Sequence, residues 1–230
     1  MEAPLVLAIE TAGKSGGIAL LKEKLLGAVT LSSKQSYSQI VFRCLEFFEK
    51  NLNLDLKTLD YYAVDIGPGS FTGLRIGLSV LKGLSLAFPK PIIPLISLEI
   101  LAVETFNTQL PVVSLIDAYS QEVFLAVYRW EEGRLKAEIN PSCIPFKKIP
   151  ELIKEPAWFV SETIEKWEDY FKQTLGKNFL KWPFPVSLTT ENLAKLVYLK
   201  LKSNYFETKT AEELLPLYLK PSEAERKKRS

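Results

Sequence analysis

Histidine is absent from all 230 residues. Without it the chain can build no Ser-His or Cys-His dyad and no histidine-bearing zinc or iron site. Cysteine is nearly absent: Cys44 and Cys143 stand alone and far apart, and they make no CxxC pair. Cys44 falls on an apolar helical stripe and reads as a core thiol, with a nucleophile or a disulfide half as the alternatives. Long apolar runs are missing as well. The stretch from Pro4 to Ile9 ends at Glu10, far too short to cross a bilayer. Two cysteines and no signal sequence lead us to expect a cytoplasmic chain without a membrane segment. A large charge excess is lacking too, since the net charge is +2. Phosphate neutralisation supplies most nucleic-acid affinity, so tight binding of nucleic acid by this chain alone is not expected. The one dense basic cluster, Arg226, Lys227, Lys228 and Arg229, reads as a solvated tail or as a weak contact to RNA.

What is present is an ordinary globular composition, 47% hydrophobic and 24% charged, long enough for one large domain or two small ones. Apolar runs at residues 5–9, 18–21 and 25–31, broken by Gly13, Gly16, Gly17 and a charged turn at 22–24, predict an antiparallel meander. Ile40, Val41, Cys44, Leu45, Phe48 and Leu52 recur at spacings of three and four and predict a helix over 38–51. Strands follow at 61–66 and 92–96, with helices at 71–87 and 97–106. The order β-β-β-α-β-α-β-α requires parallel crossovers, hence one mixed sheet. This order is that of the ribonuclease H-like half-domain of actin and sugar kinases. The second half is less regular. It predicts strands at 112–116, 122–130, 135–139 and 158–161, and helices at 164–175 and 191–204. Prolines 141, 145, 150 and 156 mark a variable connection, and no internal repeat is visible in the residues.

Chemistry concentrates at Gly67-Pro68-Gly69-Ser70, a glycine-rich turn that leaves a strand and opens a helix. Outward N–H groups backed by a helix dipole suit phosphate, and a plain tight turn explains the same residues equally well. A Walker A loop is excluded, because no Gly-Lys-Ser/Thr follows. Along the helix, Gly69, Gly73 and Gly77 recur every four residues, continued by Ser79, Gly83 and Ala87. Each interior glycine costs about 1 kcal/mol relative to alanine, so the backbone must approach something closely. Either the chain's own sheet or a helix from another subunit fits.

The segment IGPGSFTGLRIGLSVLKGLSLA (66–87) resembles the signature of the TsaB (YeaZ-type) family. The opening LAIETA (7–12), IDAYSQEVFLAVY (116–128) and the closing PLYLKPSEAE (216–225) agree in order and spacing. The resemblance spreads over nearly the whole chain and is weakest between about 140 and 190. It implies an α/β, actin-like (ASKHA) fold of two half-domains with mixed sheets flanked by helices. We divide these at 1–106, a partner-binding half, and 107–230, a degenerate half whose last segment packs back on the first.

The resemblance further implies a non-catalytic scaffold in the synthesis of threonylcarbamoyladenosine beside the tRNA anticodon. Such a subunit pairs with the catalytic TsaD and recruits the ATPase TsaE. It meets tRNA only through the complex, binds no cofactor alone, and takes ATP or ADP, if at all, at the interface with TsaD. On this reading Ile40, Val41, Cys44, Phe48, Gly69, Gly73, Leu74, Gly77 and Leu81 form the partner interface, and without TsaD the same face makes a homodimer. Glu10, Thr11, Gly67, Gly69, Ser70, Thr72, Arg75 and Asp117 form a candidate nucleotide or phosphate loop.

Two positions depart from the family pattern. Glu10-Thr11 stands where Asp-Thr is usual, and the longer side chain argues for a structural or capping carboxylate rather than a cation ligand. Ser36-Tyr37-Ser38-Gln39 carries no histidine where relatives often have one. Asp117 reads as a turn former or as a second phosphate-loop carboxylate, and Glu122 as an edge-strand or interface residue. The rival function is an independent actin-like phosphotransferase using Glu10, Asp117 and the 67–73 loop. Lack of histidine argues against a metallopeptidase.

Overall fold

The computed structural model describes residues 2–32 and 37–220. Ser36, the basic cluster 226–229 and the end of the closing motif lie outside them. The first half is a five-stranded sheet built from β1 (Val6–Glu10), β2 (Gly16–Leu21), β3 (Leu25–Leu31), β4 (Tyr61–Asp65) and β5 (Ile92–Leu95), in the order β3-β2-β1-β4-β5. The first three strands are antiparallel, whereas β4 and β5 run parallel to β1. Helices α1 (Tyr37–Leu52), α2 (Phe71–Ala87) and α3 (Ser97–Ala102) connect and follow them. Because β1, β2 and β4 are covered on both faces, they read as continuous apolar runs rather than alternating ones.

The second half repeats this plan. Strands β6 (Val112–Asp117), β7 (Glu122–Glu131), β8 (Arg134–Pro145), β9 (Ala157–Val160) and β10 (Phe179–Lys181) lie in the order β10-β9-β6-β7-β8. Again three strands form a meander, and two more run parallel to its first member. The two halves thus share one topology that no repeat in the residues reveals. Helices α4 (Ile149–Leu152), α5 (Glu168–Leu175) and α6 (Thr190–Lys202) complete the half. The expected short strand at 135–139 is corrected to a twelve-residue β8 that carries Pro141 and ends on Pro145. It is an edge strand, where a missing N–H breaks no internal ladder. Nor is the second half irregular, since it is a complete sheet with helices on it.

The core has three layers of packing. Leu7, Ile9, Val64, Phe48 and Leu81 bury the outer face of the first sheet under α1 and α2. Val113, Leu125, Phe159 and Phe171 do the same for the second sheet. Between the halves, Ala8, Ala63, Leu98, Leu101, Val112, Leu193 and Val197 form the central cluster. The helices there are exchanged: α3 packs on β6 of the second sheet, and α6 packs on β1 and β2 of the first. Among the described residues, no helix is long and apolar enough to cross a membrane.

Candidate functional site

The turn after β4 is drawn inward. Gly67 has φ +106° and precedes a cis proline. Its N–H donates to Asp65 Oδ1 at 2.7 Å, Ser70 N–H donates to the Ala12 carbonyl at 2.8 Å, and Gly73 N–H donates to Ser70 Oγ at 3.1 Å. Three of the donors that would greet a phosphate are therefore used within the chain, and the Ser70 hydroxyl serves as the N-cap of α2.

The glycine face of α2 meets the end of β1. A Cβ added at Gly69 would lie 2.7 Å from the Ala12 carbonyl oxygen, and one at Gly77 would lie 2.2 Å from Thr11 Oγ1. Thr11 is buried and donates from Oγ1 to the Gly73 carbonyl at 2.9 Å. The closely approached partner is thus the chain's own segment leaving β1, Thr11 and Ala12, not a foreign helix.

Glu10 and Asp65 end adjacent parallel strands whose register pairs Ile9 with Val64, so the two carboxyls stand side by side. Both are buried, at 0% and 1% exposure. Glu10 Oε1 accepts the Ala12 N–H at 2.6 Å, and Ser97 Oγ reaches both Asp65 oxygens at 2.7 Å. Burial first, and then the Asp65 charge, push the Glu10 carboxyl well above the usual carboxylate range. Burial also lifts Asp65 to about 6, against hydrogen bonds from Gly67 and Ser97 that hold it down. Two buried carboxyls side by side each disfavour the other's ionisation. Glu10 is closed off from solvent.

The remaining loop residues are dispersed. Asp117 accepts the Tyr119 N–H at 2.9 Å, as a turn former does, and is ion-paired with Lys166. Arg75 stacks on Phe71 with its guanidinium 3.8 Å from the ring centroid. Thr72 and Ser70 are exposed at the start of α2. The β1–β2 turn is covered by the second half. A Cβ on Gly13 would sit 2.9 Å from Leu188, whose N–H is held by Glu162 at 2.8 Å. The structure brings Glu10, Thr11, Gly67 and Gly69 together but does not gather the set into an open anion site.

The expected interface residues need a parallel correction. Ile40, Val41, Cys44, Phe48, Gly73, Leu74, Gly77 and Leu81 are buried by the chain itself, and Gly69 is half-buried against Ala12. The stripe that marks a helix by its period is the face that the chain's own sheet claims. Apolar side chains off the stripe stay outside: Phe42 is 55% exposed and Phe71 40%. An open groove of about 430 Å³ runs along α2, lined by Phe71, Thr72, Arg75, Ile76, Ser79 and Val80 and by Ser38 of α1. Ile76 and Val80, four residues apart on α2, line this groove while half-buried, and their spacing alone does not mark them as outward. Among the described residues, no three His, Cys, Asp or Glu side chains gather as a metal site.

Residues 23–217 match the family model of TsaD, described as tRNA N6-adenosine threonylcarbamoyltransferase. The chain is 27% identical over 227 residues to the Bacillus subtilis tRNA threonylcarbamoyladenosine biosynthesis protein TsaB, covering 96% of each chain. It is 26% identical over 215 residues to the Escherichia coli protein of the same name, covering 92% of this chain and 84% of that one. Among solved structures, YeaZ from Pseudomonas aeruginosa superposes with a TM-score of 0.74 at 23% identity, covering 94% of this chain and 100% of that chain. An uncharacterized protein with similarity to peptidase YEAZ from Pseudomonas aeruginosa gives 0.78 at the same identity and coverage. These two likenesses support the two-half fold alone.

Proposed function

Because the chain belongs to the TsaD family and is of the TsaB (YeaZ) type, we propose that it is a non-catalytic scaffold subunit in threonylcarbamoyladenosine synthesis on tRNA. It docks the catalytic TsaD subunit on the outer faces of α1 and α2, and the ATPase TsaE joins the pair. The observation that carries this reading is the exposed apolar surface of Phe42, Phe71 and the α2 groove. Exposed rings beside an open groove that Phe71, Ile76 and Val80 make partly apolar mark an interaction site on a globular chain.

The state of the carboxylates favours a scaffold over an enzyme. Glu10 and Asp65 are enclosed, and Asp117 is ion-paired with Lys166. A phosphotransferase needs an accessible carboxylate base and donors turned toward the phosphate, yet Gly67, Ser70 and Gly73 donate inward. Contact with tRNA comes through the complex, in keeping with a net charge of only +2. With TsaD absent, the same outer face pairs with a second copy. ATP or ADP, where required, binds at the junction with TsaD rather than within this chain.

Titration of the purified chain with TsaD tests the reading. Saturable one-to-one association that is lost in Phe42→Glu supports it, and undiminished association of that variant removes the assigned face.

A further inference from the structure

Between α6 and its last described residue, the chain returns to the first half as a strap. Leu214 is buried in the core under α1 and α2, and Leu217 N–H donates to the Ile66 carbonyl at 2.7 Å. The Tyr218 ring then stacks on Phe71, with centroids 5.2 Å apart and planes 28° apart. Arg75 closes the cluster: its guanidinium lies over Phe71, and its Nε donates to the Tyr218 hydroxyl at 3.1 Å. Two residues further on, Lys220 donates to the Ala118 carbonyl at 2.8 Å and pairs with the Glu122 carboxylate at 2.7 Å. Its side chain is only 13% exposed, so this anchor is better shielded from water than a surface ion pair.

The strap thus links the first turn of α2 to the β6–β7 turn of the other half. An aromatic ring at an exposed helix start would otherwise sample several rotamers, and ordering it on docking would cost affinity. The stack with Tyr218 and Arg75 removes that freedom in advance.

Resting on the docking assignment above, we propose that Tyr218 is part of the partner-binding surface and that Lys220 is the positioning residue that holds it there. Docking at α2 then depends on the integrity of the β6–β7 turn in the second half. The partner surface that fits is an apolar helix carrying a carboxylate, because Arg75 is the one charged side chain lining the groove among the described residues.

The test uses the full chain with Lys220→Met, which keeps the apolar stem and removes the anchor, and Tyr218→Leu, which removes the stack. Two quantities are measured: hydrogen exchange of the Leu217 amide in the free chain, and the Kd for TsaD. Lys220→Met should speed that exchange and weaken TsaD binding at least about fivefold, the lower end of ordinary coupling between sites. Tyr218→Leu should weaken binding by a similar factor. Unchanged exchange in Lys220→Met overturns the anchor, and faster exchange with unchanged Kd overturns the coupling. If Phe42→Glu and Phe71→Ala both bind TsaD normally, the docking assignment itself fails and the strap proposal with it.

Discussion

A Cβ built on Gly73 would lie 1.9 Å from the carbonyl oxygen of Thr11. That distance explains the glycine repeat of α2, because strand β1 exits through the space a side chain would occupy. The contact is with backbone, which cannot swing aside. Gly73→Ala should therefore destabilise the chain by on the order of 3 kcal/mol, as overpacked sites do. Gly83, in the same helix, has nothing within 4 Å of its hypothetical Cβ. Gly83→Ala should stabilise by roughly 0.5–1 kcal/mol through helix propensity. Urea denaturation of both variants checks the contrast, and equal effects would refute it.

The Glu10–Asp65 pair gives stability a pH dependence with a definite sign. Both carboxyls have raised pKa values in the folded chain, Asp65 to about 6 and Glu10 well above the usual carboxylate range. The unfolded chain therefore releases protons first, and stability falls as pH rises from about 4 through 6 and beyond. Glu10→Gln keeps the shape and removes one ionisation. It should be more stable than the parent at pH 8, with the advantage shrinking toward pH 4. Thermal melts across that range decide the matter; a parent that gains stability toward pH 8 through this pair would contradict it.

Asp117 should matter little. Its side chain is 19% exposed but its partner Lys166 is about half exposed, and a pair open to water on one side contributes about 1 kcal/mol at most. Asp117→Ala should melt within a few degrees of the parent and support tRNA modification in the assembled complex at the parental rate. A large loss of that rate with the fold intact would revive a phosphotransferase reading.

Legibility followed the physics of each segment. The strand Leu25–Leu31 and the helix Phe71–Ala87 have the bounds the residues predict, because turn glycines and charged breaks delimit them. Strand β8 was underestimated, since Pro141 and Pro145 argue against a strand unless the strand lies at an edge, a tertiary fact. The second half's copy of the first half's topology was invisible, because topology survives where residue patterns diverge. At α2 the glycine spacing correctly required a close neighbour, but local sequence carries no information about which neighbour. Thr11 and Ala12, some sixty residues earlier, supply it. The stripe of Ile40, Val41, Cys44 and Phe48 was legible as apolar, yet periodicity marks the face a helix buries against its own fold. The outward face is written in the exceptions, Phe42 on α1 and Phe71 with Leu86 on α2.

Substitution on that outward face should separate assembly from folding. Phe42→Glu places a charge where the ring is more than half exposed, so the melting temperature should hold within a few degrees. The same variant should also abolish any homodimer, seen as a monomer mass by light scattering at concentrations where the parent pairs.

Calorimetric titration of TsaD into the parent chain, Phe42→Glu and Gly83→Ala tests the central claim most directly. The account predicts that the parent and Gly83→Ala bind with indistinguishable affinity while Phe42→Glu loses at least about tenfold, as central aromatic contacts do. Equal binding by all three would show that TsaD approaches some other surface.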